Sequence, residues 1–246
     1  MLREYQADLH IHTCLSPCGE LEMHPAAIVK AAIEKKIPII GICDHNSCEN
    51  AVAVIEAADG KEVTVIPGIE VTSQEEVHIC ALFESVAEAL KLQQLIYDNL
   101  DGENNPAVFG MQVVVEADGT VSGFNPRLLI GAAHLTLERV VKAIHALKGL
   151  AIAAHIDREG FGIIGQLGFI PPQLELDALE ISYRMTWDEA RIRFREYCNY
   201  PILRSSDAHC LDAIGRARTT FRLEGPSFAE ICRALKGINE RSVIRL

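Results

Sequence analysis

What most constrains this chain is where its metal-capable residues fall: six of its nine histidines lie in, or directly after, short apolar β-branched runs. Seven such runs occur, at about 5–11, 37–43, 63–69, 77–83, 150–154, 179–183 and 201–205. His10 and His12 end the first, Asp44 and His45 follow the second, Glu70 follows the third and His78 lies in the fourth. His155 follows the fifth, and Asp207 and His209 follow the seventh. Helical patterns fall between the runs at about 25–36, 84–100, 136–148, 187–198 and 227–236. In the third of these, Leu137, Val140, Val141 and Ile144 keep the i, i+3, i+4, i+7 spacing of a buried stripe. Strand runs alternating with amphipathic helices predict an α/β fold on a parallel sheet. Seven strands in 246 residues favour a closed TIM-like barrel, although periodicity alone also fits an open sheet. In a parallel barrel the strands' carboxyl ends converge on one mouth, and convergence is what a metal site needs.

The segment from about 101 to 132 breaks the pattern. Asp-Gly-Glu-Asn-Asn-Pro and Glu-Ala-Asp-Gly-Thr bracket a short Val113-Val114-Val115 run, which predicts an insertion carrying a small hairpin, a candidate lid or second lobe. With no linker, repeat or low-complexity tract, residues 1–246 are expected to form one domain around that insertion.

Spacing sharpens the metal reading. His10 and His12, two apart on a strand, point to one side, as do Asp207 and His209 if their strand continues. Imidazoles mixed with carboxylates suit Zn²⁺, Mn²⁺ or Fe²⁺. The set is too rich for one tetrahedral ion, and Glu70 has two oxygens with which to bridge, so two or three divalent ions are expected. His134 and His145 read instead as residues at or on helices with no ligand role, and His24, at a helix start, reads likewise but lies near enough to the first cluster to remain an alternative ligand.

Composition limits the alternatives. With 49% hydrophobic and 23% charged residues the chain can bury a core, which excludes intrinsic disorder. No apolar run approaches the roughly 18 residues of a membrane span, and the first residues carry no apolar signal core, so a soluble, cytoplasmic protein is expected. Its eight cysteines should then stay reduced, as core residues or metal ligands. A net charge of 23 − 34 = −11, with no Lys/Arg block, argues against binding duplex nucleic acid by phosphate neutralisation alone.

Six motifs in order carry a family resemblance: Asp-Leu-His-Ile-His-Thr (8–13), Cys-Asp-His-Asn (43–46), Gly-Ile-Glu-Val (68–71), Val-His-Ile-Cys (77–80), Ala-His-Ile-Asp-Arg (154–158) and Ser-Asp-Ala-His (206–209). Together they resemble the PHP (polymerase and histidinol phosphatase) superfamily. The resemblance implies a distorted (β/α)7 barrel with up to three metal ions at its carboxyl end, and hydrolysis of phosphate esters. It implies His10, His12, Glu70 and Asp207 as ligands of one ion, Glu70 with His78 and His155 of a second, and His45 with His209 of a third. Asp44 is similar to an acidic neighbour of the metal histidine and is expected to fix an imidazole tautomer. Where many members carry an acid or histidine to complete the third position, this chain has Cys18, whose thiolate would favour Zn²⁺ or Fe²⁺.

The expected reaction is attack on phosphorus by a hydroxide bridging the ions, with Asp207, His209 and Asp44 among the catalytic groups. Arg158, Arg184 and Arg216 are the candidate phosphate-binding cations, Arg158 also being a candidate catalytic residue. A small phosphorylated metabolite or nucleotide is the favoured substrate, because no aromatic-plus-basic track for a single strand is visible. An exonuclease acting on nucleic-acid ends is the less favoured hydrolase, and a noncatalytic metal-binding module is the reading from another class.

Overall fold

A computed structural model describes residues 1–244. Its strands are β1 (Arg3–Ile11), β2 (Ile39–Ile42), β3 (Thr64–Thr72), β4 (His78–Leu82), β5 (Val113–Val115), β6 (Val121–Phe124), β7 (Leu150–Ala153), β8 (Ala178–Ile181), β9 (Ile202–Arg204), β10 (Thr219–Leu223) and β11 (Ser242–Ile244). Its α-helices are α1 (Pro25–Glu34), α2 (Ala51–Ala57), α3 (Val86–Tyr97), α4 (Pro106–Phe109), α5 (Leu137–Ala146), α6 (Ile163–Leu167), α7 (Trp187–Arg193) and α8 (Phe228–Leu235). Nine strands form one sheet in the order β11-β10-β1-β2-β3-β4-β7-β8-β9. The chain after β9 returns to the end of β1 through an Ile11–Ala208 parallel bridge, which brings the seven strands from β1 to β9 almost to closure.

The sheet departs from the all-parallel expectation. β4 runs antiparallel to both β3 and β7, and β10 and β11 add an antiparallel ribbon to β1. The physical reason is chain length: only residues 73–77 join β3 to β4, and a parallel crossover takes a dozen or more. Reversal puts the first residue of β4, His78, at the mouth where the other strands end, opposite Thr72 of β3.

Inside the barrel, Leu9, Ile39, Ile66, Leu82, Ile152 and Leu203 form one buried cluster with Phe221 of β10 and Ile231 of α8. Residues from this many strands meet only if they point inward. The alternate residues face out: Ile69, Ile79 and Ala153 pack with Leu92 of α3 and with Val140 and Ile144 of α5, and Ile40 and Ile42 pack with Ile28 of α1 and Val54 of α2. Gly41 lets β2 lie against β1, since a Cβ there would fall 2.4 Å from the Leu9 carbonyl oxygen. Helix starts follow their caps: Pro25 opens α1, and the Thr136 and Ser227 hydroxyls accept the backbone N–H of Arg139 and Glu230.

In the expected insertion, β5 and β6 pair as a separate hairpin. It docks against the loop after β1, where Val113 N–H donates to the Cys14 carbonyl. Asn50 holds it with both ends of its amide, donating to the Val113 carbonyl (3.0 Å) and accepting from Val115 N–H (3.0 Å).

Candidate metal centre

Three departures from regular strand geometry aim the ligands. On β1 the pairing with β2 shifts register between Asp8 and Ile11, so Leu9 faces the barrel interior and His10 and His12 nevertheless point inward after it. At the ends of β7 and β9, His155 (φ 29°) and Asp207 (φ 49°) adopt the left-handed region that non-glycine residues avoid. Such strain costs on the order of 1–3 kcal/mol and persists only where the surroundings enforce it. Asp8 is part of that enforcement: its carboxylate accepts Ser206 N–H (2.9 Å) and Gly215 N–H (2.7 Å), tying β1 to the loops that follow β9.

The expected ligands His10, His12, His45, Glu70, His78, His155, Asp207 and His209 gather into one cluster, and all but the half-buried His209 are buried. Glu70 is its centre. Oε1 lies 2.8 Å from His78 Nδ1, 3.2 Å from His155 Nε2 and 3.3 Å from His10 Nε2, while Oε2 lies 3.0 Å from His45 Nδ1 and 3.4 Å from His12 Nε2. Asp207 Oδ1 is 3.1 Å from His12 Nε2 and 3.5 Å from His10 Nε2. The grouping differs slightly from that implied by the resemblance: donor atoms of His12, His45 and His209 approach one another, as do those of His45, Glu70 and His78.

Proton bookkeeping tests whether these residues fit metal ions. Ser16 gives its one hydroxyl proton to Asp44 Oδ1 (2.7 Å), so its oxygen accepts from His12 Nδ1 (2.9 Å). His10 Nδ1 donates to Glu180 Oε1 (3.0 Å). In neutral rings both Nε2 atoms are therefore bare lone pairs, facing each other at 3.1 Å beside the Glu70 and Asp207 oxygens. Glu70 Oε2, His45 Nδ1 and His155 Nδ1 are buried without hydrogen-bond partners. Buried donors and acceptors are nearly always satisfied, so polar atoms that converge here without partners fit a site that could hold cations.

Electrostatics point the same way. Burial opposes charge on His10, yet Glu180, Glu70 and Asp207 raise its pKa well above the ordinary value. Burial likewise opposes charge on Glu70, but His78, His10 and His45 hold it well below the carboxylate range. Burial and the neighbouring charges of His209 and His45 push His12 well down. The cluster thus demands positive charge that its histidines supply unevenly, and divalent ions meet that demand directly.

The remaining expected residues take distinct places. Cys18 is exposed at the rim with its Sγ 3.2 Å from His45 Nε2; desolvation raises its pKa, but bonds with His209 and His45 bring it down to about 6. Asp44 accepts hydrogen bonds from Thr13 N–H, Thr13 Oγ1 and Ser16 Oγ, and it bears on the His12 imidazole through that serine. Arg158 is bound into the site, its Nη1 2.6 Å from Asp207 Oδ2. Arg184 and Arg216 gather around Tyr183 and, among the described residues, make no ion pair with a candidate ligand.

Several residues escaped the sequence reading. Glu180, buried mid-strand in β8, fixes the His10 tautomer and accepts the His155 backbone N–H (3.2 Å). An acid inside the apolar Leu179–Ile181 run was its signal. Ser16 had none, being one of several loop hydroxyls. Phe161 stacks on His78 with ring centroids 4.4 Å apart, and its carbonyl accepts His78 N–H (2.9 Å).

Among known proteins, the chain is 25% identical over 264 aligned positions to the uncharacterized protein YqxK of Bacillus subtilis (strain 168), covering 99% of this chain and 65% of that protein. It superposes with TM-score 0.78 and 20% identity on the lesion-specific endonuclease PfuEndoQ from Pyrococcus furiosus, covering 98% of this chain and 58% of the other. Endonuclease Q has also been solved with a 27-mer duplex carrying an abasic lesion at its active site. A two-domain protein from Bacteroides vulgatus, containing a predicted PHP-like metal-dependent phosphoesterase, gives TM-score 0.60 at 15% identity, covering 99% of this chain and 65% of that one. The chain therefore spans less than two thirds of the length of each of these proteins. A PHP domain model matches residues 8–158 and a PHP-associated model residues 189–237. With more than half its length inside the first match, the chain belongs to the PHP domain family.

Proposed function

We propose that this chain hydrolyses phosphodiester bonds of nucleic acid, using two or three divalent ions. The observation that carries the hydrolytic part is the convergence of His10 Nε2, His12 Nε2, Glu70 and Asp207, a nitrogen-and-carboxylate set that suits Zn²⁺, Mn²⁺ or Fe²⁺. His10, His12, Glu70 and Asp207 would hold one ion, Glu70, His78 and His155 a second, and His45, His209 and Cys18 a third. When bound, such ions polarise phosphoryl oxygens and lower the pKa of a water toward neutrality. The protein's own part is positional: Glu180 and Ser16 fix the two imidazole tautomers, and Arg158 places a guanidinium at Asp207 from which a phosphoryl oxygen can be met.

The choice of a nucleic-acid strand over the small phosphomonoester favoured by sequence rests on the rim. The sequence shows no basic-aromatic track because Arg216 lies 32 residues beyond the adjacent Tyr183 and Arg184, yet folding brings the three together. The likeness to endonuclease Q supports the same substrate class. The test is to restore Mn²⁺ or Zn²⁺ after chelation and offer single- and double-stranded oligonucleotides, with and without an abasic position, beside a panel of phosphomonoesters. Metal-dependent strand cleavage, lost in His12→Ala, is expected. Release of phosphate from a monoester with every oligonucleotide intact would return the assignment to a small-molecule phosphatase.

A further inference from the structure

Beside the metal centre lies a group of cations that the reaction so far described does not use. Tyr183 follows β8, and three arginines are arranged on it. The Arg216 guanidinium lies over the ring, its central carbon 3.2 Å from the centroid. Arg184 Nε donates to the Tyr183 hydroxyl (3.1 Å), and Arg204 Nη2 donates to the Tyr183 carbonyl (3.4 Å). Stacking and hydrogen bonding hold these guanidinium planes in place without using up their remaining N–H groups.

Arg158, Arg233 and Arg241 each have a carboxylate within 4 Å, whereas among the described residues no carboxylate lies that close to Arg184 or Arg216. Both are exposed. The mutual repulsion of these two neighbouring cations is offset only without direct contact, by the charge of Asp157 acting on Arg184. An anion supplied from outside removes that cost, and a forked guanidinium pair matches the oxygens of a phosphate.

Backbone geometry fixes the pair relative to the metals. Gly215, at φ 72°, turns the chain just before Arg216, and its N–H is anchored on Asp8, two residues before His10. Arg158 stands on the neighbouring loop after β7, and its charge, with those of Arg184 and Arg216, lowers the Tyr183 hydroxyl pKa, the Arg184 hydrogen bond being the largest cause. One arginine thus touches a candidate metal ligand and two stand farther along the same rim.

We propose that Arg184 and Arg216, braced on Tyr183, form a subsite for a second, non-scissile phosphate of the substrate, next to the phosphate that Arg158 serves. The inference rests on the reading of the chain as a nucleic-acid phosphodiesterase and deepens it: the enzyme engages at least two successive phosphates of a strand, so a single isolated diester is an incomplete substrate.

The experiment compares three thymidine dinucleotides with the metal-restored protein: TpT, which has only the central diester, pTpT with an added 5′ phosphate, and TpTp with an added 3′ phosphate. One of the two phosphorylated forms is expected to exceed TpT in kcat/KM by about 10- to 100-fold, the scale of charge-assisted hydrogen bonds from two guanidiniums. That ratio should fall to within about threefold of unity in Arg216→Ala and in Arg184→Ala, with melting temperature and metal content preserved as evidence of folding. Equal turnover of all three dinucleotides, or a preference that survives both substitutions, overturns the subsite while leaving the phosphodiesterase. Cleavage of none of them while a longer oligonucleotide is cut overturns the subsite alone, and a longer oligonucleotide left intact as well defeats the nucleic-acid reading with it.

Discussion

Single side chains set the chemistry here through the protons they withhold. Glu180 accepts from His10 Nδ1 and so turns Nε2 toward the cluster, where a metal ion would displace any proton on it; Glu180→Gln should therefore weaken metal affinity by about 10- to 100-fold, as loss of a carboxylate behind a ligand histidine generally does. Competition against a chelator of known affinity measures this without reference to activity, and unchanged affinity would remove Glu180 from the account. Cys18 makes a separate prediction: with Co²⁺ in place, Cys18→Ser should abolish sulfur-to-metal charge-transfer absorption and leave the ligand-field bands of the remaining ions. Absence of that absorption in the parent protein would leave the third position without its thiolate. The metal-facing residues themselves were legible because histidine and acid beside a strand run stand out against an apolar background. Glu180 and Ser16 were not, since what they do depends on which proton goes where, and that is decided by partners 170 and 4 residues away.

At the scale of elements, the strands of the barrel were legible and their directions were not. Apolar runs mark strands whichever way they point, and the reversal of β4 is visible only when the short 73–77 connection is set against the length a crossover requires. β10 and β11 went unread because they form a ribbon held partly by charge. Glu230 of α8, buried, accepts Glu224 N–H (2.7 Å), Arg233 Nη1 (2.6 Å) and Arg241 Nε (3.1 Å), joining α8 to the turn after β10 and to the start of β11. Burial would raise its pKa, but the Glu224 N–H and the two arginines bring it down to about 2. A depressed carboxyl pKa contributes stability that is full above the unfolded value near 4.5 and is lost as pH falls toward 2. Glu230→Gln should therefore cost about 2 kcal/mol at neutral pH and progressively less below pH 4. Denaturant melts at pH 7 and pH 3 check this, and an equal cost at both would contradict it. On the other side of the molecule, Asn50→Ala should leave Val113 and Val115 without their amide partner and speed hydrogen exchange across β5 and β6 ahead of the barrel.

For the molecule as a whole, a barrel packed with Leu, Ile and Phe below carries a mouth in which Glu70 and five histidines crowd within hydrogen-bonding distance or little more. The apolar interior and outer helices fix where the strands end, and the register shift on β1 with the left-handed residues at His155 and Asp207 turns strand ends into a ligand set. Such crowding, with Arg158 the one arginine paired to the cluster among the described residues, is what would make divalent ions part of the native site. The most direct measurement is a titration of the chelator-stripped protein with Mn²⁺ or Zn²⁺, following bound metal and hydrolysis of bis(p-nitrophenyl) phosphate in the same samples. The account predicts no hydrolysis at zero metal and a rise that tracks filling of at least two sites, with His12→Ala flat throughout. Full activity in the stripped protein, or saturated metal sites with no hydrolysis of this diester or of any oligonucleotide, would contradict it.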